Sequence, residues 1–275
     1  DLALGEAWAK ARGCDPKDLA CLRALPLERL LPEEPGLEAM GRFLSNPSLF
    51  RTGPFKPHLS PFLLPQDPRE ALREGKAAGI PLIAGANAEE VAFPSLQALL
   101  GPGDWEEAER RLLESGLSRE KAQALLAHYR KGVPDPKRAW GEVQTDLTLL
   151  CPSLKAARLQ APHAPTYAYL FTFRAPGWEG LGAFHGLELA PLFGNLLERP
   201  FLPLFLRQEA QEEAEYLGKK MRRYWTSFAK DGEPKGWPRW PLYREGHLLR
   251  LDVPLGLLPD LYEERCGALE VLGLL

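Results

Sequence analysis

Several common signatures are missing from this chain. Its apolar runs are short and broken by Pro, Arg or Glu, so none approaches the ~20 residues that a membrane-crossing helix needs. Neither sign of charge dominates. With 34 Lys and Arg against 37 Asp and Glu, the formal charge is -3. The basic residues are interleaved with acidic ones, which argues against a nucleic-acid surface. There are four cysteines and no CxxC pair, and no Cys/His cluster has zinc-ligand spacing, which speaks against a zinc site. Cys14 and Cys21 are close enough in sequence to close a small loop, but the expectation is four thiols in a cytoplasmic protein. Isoleucine is reduced to Ile80 and Ile83, and asparagine to Asn46, Asn87 and Asn195. Few thermolabile amides beside many ion-pairing residues is a thermophile-like bias, although GC-rich coding gives a similar one. No signal peptide, internal repeat or low-complexity tract is visible. The first residue is Asp1 rather than Met, so the expectation is a chain processed or cut from something longer.

What is present is enough for a substantial core. A chain of 275 residues buries roughly 70–75% of its unfolded surface and makes one large domain or two small ones. Residues 2–12 and 18–31 read as short helices around a turn. The proline-rich stretch 33–68 reads as a long surface loop, and 69–78 as a helix. The run Ile80–Ala84, flanked by Gly79 and Gly85, has strand length. Residues 104–131 predict a helix pair split near Gly116, with Ser118 capping the second. A helix is expected over 141–160, begun near Thr145 and Asp146. "TYAYLFTF", 166–173, is the strongest strand. Residues 207–230 form a long amphipathic helix, and "HLLRLDV", 247–253, alternates like a final strand. Apolar strands separated by helices predict an α/β fold with a mainly parallel sheet. Three good strands are few for this length.

In open α/β sheets, functional groups collect on loops beyond the carboxyl ends of strands. Two such loops carry ionisable residues here. Glu89 and Glu90 follow the Ile80–Ala84 run, and His185 follows the 166–173 run. A carboxylate on one strand end and an imidazole on the next can form a hydrogen-bonded pair, in which the carboxylate fixes the tautomer and stabilises the imidazolium. The plainer reading is a solvated Glu and a loop histidine bonded to a carbonyl. His58, His128, His163 and His247 lack metal-ligand spacing and read as surface or structural residues. The tryptophans of "RYWTSF" and "GWPRWP" read as core or staple residues.

Specific motifs sharpen this. "GIPLIAGANAEEVAFP" resembles the acid-bearing strand and turn of the type-B carboxylesterase/cholinesterase family, Gly-x-x-x-Asp-Glu-Gly-x-x-Phe. "GAFHGLELAPLFGN" resembles that family's histidine loop, and "YWTSFAKDGEPKGWPRWPLY" its C-terminal signature. "GCDPKDLACLRAL", "TDLTLLCPSLKAA" and "TYAYLFTF" fit in the same order, so the resemblance runs along essentially the whole chain. It implies an α/β-hydrolase fold that cleaves carboxylic esters by a Ser-His-Glu triad. The triad histidine falls on His185 and the acid on Glu90. Glu89 takes the place of the motif's Asp and is the alternative if the register slips by one residue. Neighbouring side chains in extended backbone point opposite ways, so only one of the two should face His185. Val91 stands where the motif has Gly. Glu188 matches a Glu three residues after the histidine and reads as loop-shaping. Residues 33–66 fall where the family builds part of its substrate wall. No cofactor is implied, because water and side chains suffice.

The nucleophile elbow Gly-x-Ser-x-Gly does not occur in the sequence, nor does a Gly-Gly oxyanion loop. In the family both precede the acid and the histidine, and the first match, at "GEAWAKARGC", falls just after the elbow helix. The chain therefore reads as the C-terminal part, residues 1–275, of one carboxylesterase-type domain. The implied partners are a small ester and an N-terminal half carrying the serine, without nucleic acid or membrane. Loss of a triad nucleophile costs on the order of 10^6 in turnover, about 8 kcal/mol of barrier, so the polypeptide alone is expected to have no triad-dependent activity. A cut sheet leaves an open strand edge, so the chain is expected to associate. A non-catalytic binding or scaffold module, or an inactive fragment, is the alternative from another class.

Overall fold

A computed structural model describes residues 2–30, 59–91, 101–177, 179–194 and 208–275. Most of the expected loop, with His58 and the 33–58 part of the substrate wall, lies outside them. The chain divides into two compact units, Asp1–Gln66 and Asp67–Leu275.

The first unit holds α1 (Leu2–Ala11), α2 (Leu19–Ala24) and α3 (Leu27–Leu30). Gly13, at φ 80°, turns the chain after α1, and the Asp18 carboxylate caps α2 by accepting from the Cys21 N–H. Cys14 and Cys21 are joined by a disulfide.

The second unit is a layered α/β structure. Its elements are α4 (Pro68–Arg73), β1 (Leu82–Asn87), α5 (Trp105–Glu114), α6 (Arg119–Gly132), α7 (Pro136–Thr145), α8 (Cys151–Gln160), β2 (Thr166–Phe171), α9 (Leu189–Phe193), α10 (Gln208–Asp231), β3 (His247–Leu251), β4 (Gly256–Pro259) and α11 (Gly267–Val271). The strands lie in the order β1-β2-β3-β4. β1, β2 and β3 are parallel, and β4 pairs antiparallel with β3. This is the mainly parallel sheet that the spacing of apolar runs predicts.

Alternation along the strands sends side chains to two cores. On one face Ala86, Ala168, Leu170 and Leu248 meet Leu112, Leu125, Trp140, Val143 and Leu154 from α5 to α8. On the other, Tyr167, Phe171, Leu249 and Leu251 meet Leu217, Met221 and Tyr224 of α10. Trp240 completes that second core, with Tyr167, Tyr169 and Tyr224 edge-on around it and its indole N–H donated to Ala168 O at 2.9 Å. Trp240 is thus a core residue as expected, with Trp225 packed against the same core, whereas Trp237 is 79% exposed.

Boundaries shift for identifiable reasons. β1 begins two residues later than its apolar run, because Ile80 is exposed and the ladder opens where Leu82 N–H donates to Pro165 O. Ser118 caps α6 as expected, accepting from Lys121 N–H. The helix expected over 141–160 starts earlier, at Pro136, capped by Asp135. It passes through a π turn at Asp146–Leu150 before α8. There the Asp146 carboxylate is fully buried. Tyr129 OH donates to it at 2.7 Å and Arg265 Nη2 at 2.6 Å.

The expectation of four thiols is overturned. Cys151 and Cys266, both fully buried, form a second disulfide across 115 residues, their Cα atoms 5.4 Å apart. The fold brings α8 beside the C-terminal segment, a proximity that spacing along the chain does not encode. Among the described residues no helix is long and apolar enough to cross a membrane.

Candidate active site

Because β1 and β2 are parallel and in register from Leu82↔Thr166 to Asn87↔Phe171, their carboxyl ends reach the same edge of the sheet. Close approach of the two strands requires a glycine. A Cβ on Gly85 would lie 2.4 Å from Tyr169 O and 2.5 Å from its ring. The loops that leave these ends carry the ionisable residues singled out above.

After β1 the backbone stays beside the second loop. Glu89 N–H donates to Ala183 O at 3.1 Å, and Ala183 N–H returns a bond to Glu89 Oε2 at 2.5 Å. Arg174, on the same loop, pairs with Glu89 Oε1. Glu89 is therefore a clasp on the histidine loop, turned away from the ring.

Glu90 points the other way. Its Oε2 lies 2.7 Å from His185 Nδ1, a contact between residues 95 apart in sequence. Its Oε1 accepts the Asn87 backbone N–H at 2.7 Å. The structure thus brings Glu90, not Glu89, to the imidazole. The carboxylate side chain is 7% exposed and the ring 68%. Burial pushes the Glu90 carboxyl above the usual range, against the Asn87 N–H and His185, which hold it down. With an acceptor carboxylate at Nδ1, the neutral ring carries its proton there. Nε2 is then a basic lone pair with no hydrogen-bond partner among the described residues, available to a proton donor outside them. An imidazole with one ring nitrogen fixed by a buried carboxylate and the other left basic can take a proton from a hydroxyl and return it to a leaving group.

Val91, where the family motif has glycine, is buried, and no non-glycine residue among those described has a positive φ. The turn forms without the glycine, and the valine side chain enters the core. Glu188 does not reach the ring; its Oε2 accepts from Asn87 Nδ2. Sequence reading passed over Asn87. Its signal was a polar residue closing an apolar strand, one of three asparagines in the chain.

The other histidines do different work. His163 Nε2 lies 3.1 Å from Arg73 O, His247 Nδ1 lies 2.9 Å from Glu245 O, and His128 sits edge-on to Tyr129. Among the described residues no cluster of three or more His, Cys, Asp or Glu is arranged for a metal ion. A groove of about 550 Å³ runs along β1, lined by Pro81–Gly85, Ser153, Ala156, Tyr169, Trp225 and Phe228. It flanks the outer edge of β1, and neither His185 nor Glu90 lines it.

Several known proteins are similar to this chain in sequence and in fold. The Bacillus subtilis para-nitrobenzyl esterase is 30% identical over 70% of this chain, an alignment that spans 37% of the esterase. Rabbit (Oryctolagus cuniculus) liver carboxylesterase 1 is 28% identical over 90% of the chain and 47% of its own length. Among solved structures, a thermophilic PNB esterase superposes with a TM-score of 0.73 at 27% identity, covering 97% of this chain and 53% of that one. A Geobacillus stearothermophilus carboxylesterase gives 0.70 at 27% identity, covering 97% and 54%. The chain spans about half the length of these proteins, and its fold is that of an α/β-hydrolase. The sequence profile of the carboxylesterase family matches residues 2–266, and with that match the chain belongs to the carboxylesterase family.

Proposed function

We propose that this chain supplies the acid–base half of a carboxylic ester hydrolase. The observation that carries the reading is the 2.7 Å contact between His185 Nδ1 and the buried Glu90 carboxylate, in a member of a family of carboxylesterases. His185 Nε2 takes the proton of a serine hydroxyl as that oxygen attacks the ester carbonyl. It then gives the proton to the departing alcohol, and the cycle repeats with water on the acyl-enzyme. Glu90 holds the tautomer and stabilises the imidazolium.

The serine has to come from elsewhere, since the sequence has no Gly-x-Ser-x-Gly. Its proposed source is an N-terminal half, and the outer edge of β1 is the proposed seat. The edge is unpaired among the described residues, is flanked by the apolar groove, and belongs to a chain half as long as its solved relatives. On this reading residues 1–275 are part of one esterase domain. The compartment is proposed to be the cytoplasm, since disulfides also occur there in hyperthermophiles and the composition is thermophile-like; the alternative, which the two disulfides favour, is a secreted protein whose upstream signal has been removed.

The test mixes this chain with a separately expressed segment carrying the nucleophile elbow and follows a short-chain p-nitrophenyl ester. Hydrolysis by the mixture, lost in His185→Ala and blocked by an irreversible serine reagent, supports the reading. Complex formation without turnover overturns it in favour of a binding module.

A further inference from the structure

We infer that Asn87 is the positioning residue of the acid–base pair, holding the acid with its backbone and the histidine turn with its side-chain amide. The inference rests on reading His185 and Glu90 as that pair. Asn87 is the last residue of β1, paired with Phe171, and is 1% exposed. Its backbone N–H donates to Glu90 Oε1 at 2.7 Å. Its Nδ2 donates to Phe184 O at 2.6 Å and also to Glu188 Oε2.

These two acceptors sit one residue before and three residues after His185, so a single amide nitrogen spans the turn that carries the ring. The amide orientation follows from chemistry. Turned over, Oδ1 would face two acceptors and both N–H donors would be stranded. In the orientation found, Oδ1 is buried without a hydrogen-bond partner. Leaving a buried acceptor unpaired carries a desolvation cost, and the amide takes that orientation because both its protons are committed to the histidine turn. A backbone bridge joins Glu89 to Phe184, the residues just before the acid and the ring, but it holds neither the Glu90 carboxylate nor the far side of the histidine turn. Asn87 bonds the Glu90 carboxylate itself and reaches the histidine turn on both sides of the ring, at Phe184 and Glu188.

The test uses the chain as it stands, with 15N-labelled histidine. Two-bond 1H–15N spectra of the non-exchanging ring protons report which ring nitrogen holds the proton, without dependence on exchange at the exposed ring. Five histidines are present, and His185→Gln assigns the signal. At pH 8 the wild type is expected to show the Nδ1–H tautomer at residue 185, lost in Glu90→Gln. Asn87→Ala keeps the backbone bond to Glu90 and is expected to move the population toward Nε2–H. Glu188→Gln, which retains an acceptor oxygen for Nδ2, is expected to keep the wild-type pattern. A folded Asn87→Ala protein with the wild-type tautomer overturns the inference, because a merely structural asparagine would change the melting temperature and leave the ring proton in place. Should Asn87→Ala fail to fold, Glu188→Ala decides: a shift toward Nε2–H supports the inference and an unchanged ring overturns it. If Glu90→Gln leaves the wild-type ring unaltered, the acid–base pair itself falls, and this inference with it.

Discussion

The buried disulfide permits a quantitative prediction. Cys151 and Cys266 close a loop of 115 residues inside the second unit. Cross-linking restricts the unfolded chain by an entropy of about 2.1 + 1.5R ln n cal/mol/K, which for this loop is about 5 kcal/mol at 25 °C. The same relation for Cys14–Cys21, separated by 7 residues, gives only about 2 kcal/mol. The perturbation is the double substitution Cys151→Ala, Cys266→Ala. Trp140 and Trp240 are buried in the second unit, so their fluorescence reports its unfolding in urea. The expected result is a loss of roughly 4–5 kcal/mol, which consumes a large part of the 5–15 kcal/mol that holds an ordinary domain together. Thiol titration of the wild-type chain in denaturant should find no free cysteine. A loss below about 2 kcal/mol would refute the loop-entropy reasoning, and reactive thiols in the unreduced protein would refute the pairing itself.

Three further outcomes are expected. Arg265→Ala leaves the fully buried Asp146 carboxylate without its guanidinium partner and should destabilise by about 3–5 kcal/mol in the same urea assay. A small effect would mean that Asp146 is protonated when folded. Gly85→Ala drives a methyl into Tyr169 O and should cost at least the ~1–3 kcal/mol typical of overpacking. It should also disturb the ring tautomer of His185, and a wild-type melting temperature would contradict the β1–β2 register. Glu90 has a folded-state pKa raised by burial, so the folded chain holds that proton to higher pH than the unfolded one. Its contribution to stability is therefore present at low pH and lost as pH rises through the raised value. Glu90→Gln should melt higher than the wild type at neutral pH, with the gap closing on acidification; a lower melting temperature at pH 7 would reverse the sign.

How far the sequence reached can be judged residue by residue. The aromatic run 166–173 was legible as a strand because both of its faces are buried. Ser118 was legible as a cap because capping is a local exchange between one side chain and one backbone N–H. The partnership of His185 with Glu90 followed from two strand ends and a family pattern, since parallel strands deliver their ends to one place. Long-range facts were not legible. The spacing of Cys151 and Cys266 carries no trace of the turn at Asp146–Leu150 or of the return of the C-terminal segment beside α8. β4, with four residues, is too short to show periodicity and exists because β3 offers it a free edge. Asn87 drew notice only as one of three asparagines, because its side chain bonds acceptors 97 and 101 residues away.

The parallel register of β1 and β2 has one more consequence. It makes His185 and Glu90 neighbours regardless of the chain between them, so under the proposed function a scission upstream of both leaves the pair intact. If the attacking oxygen arrives on a second polypeptide, ester turnover becomes a counter of encounters between two molecules, each silent alone.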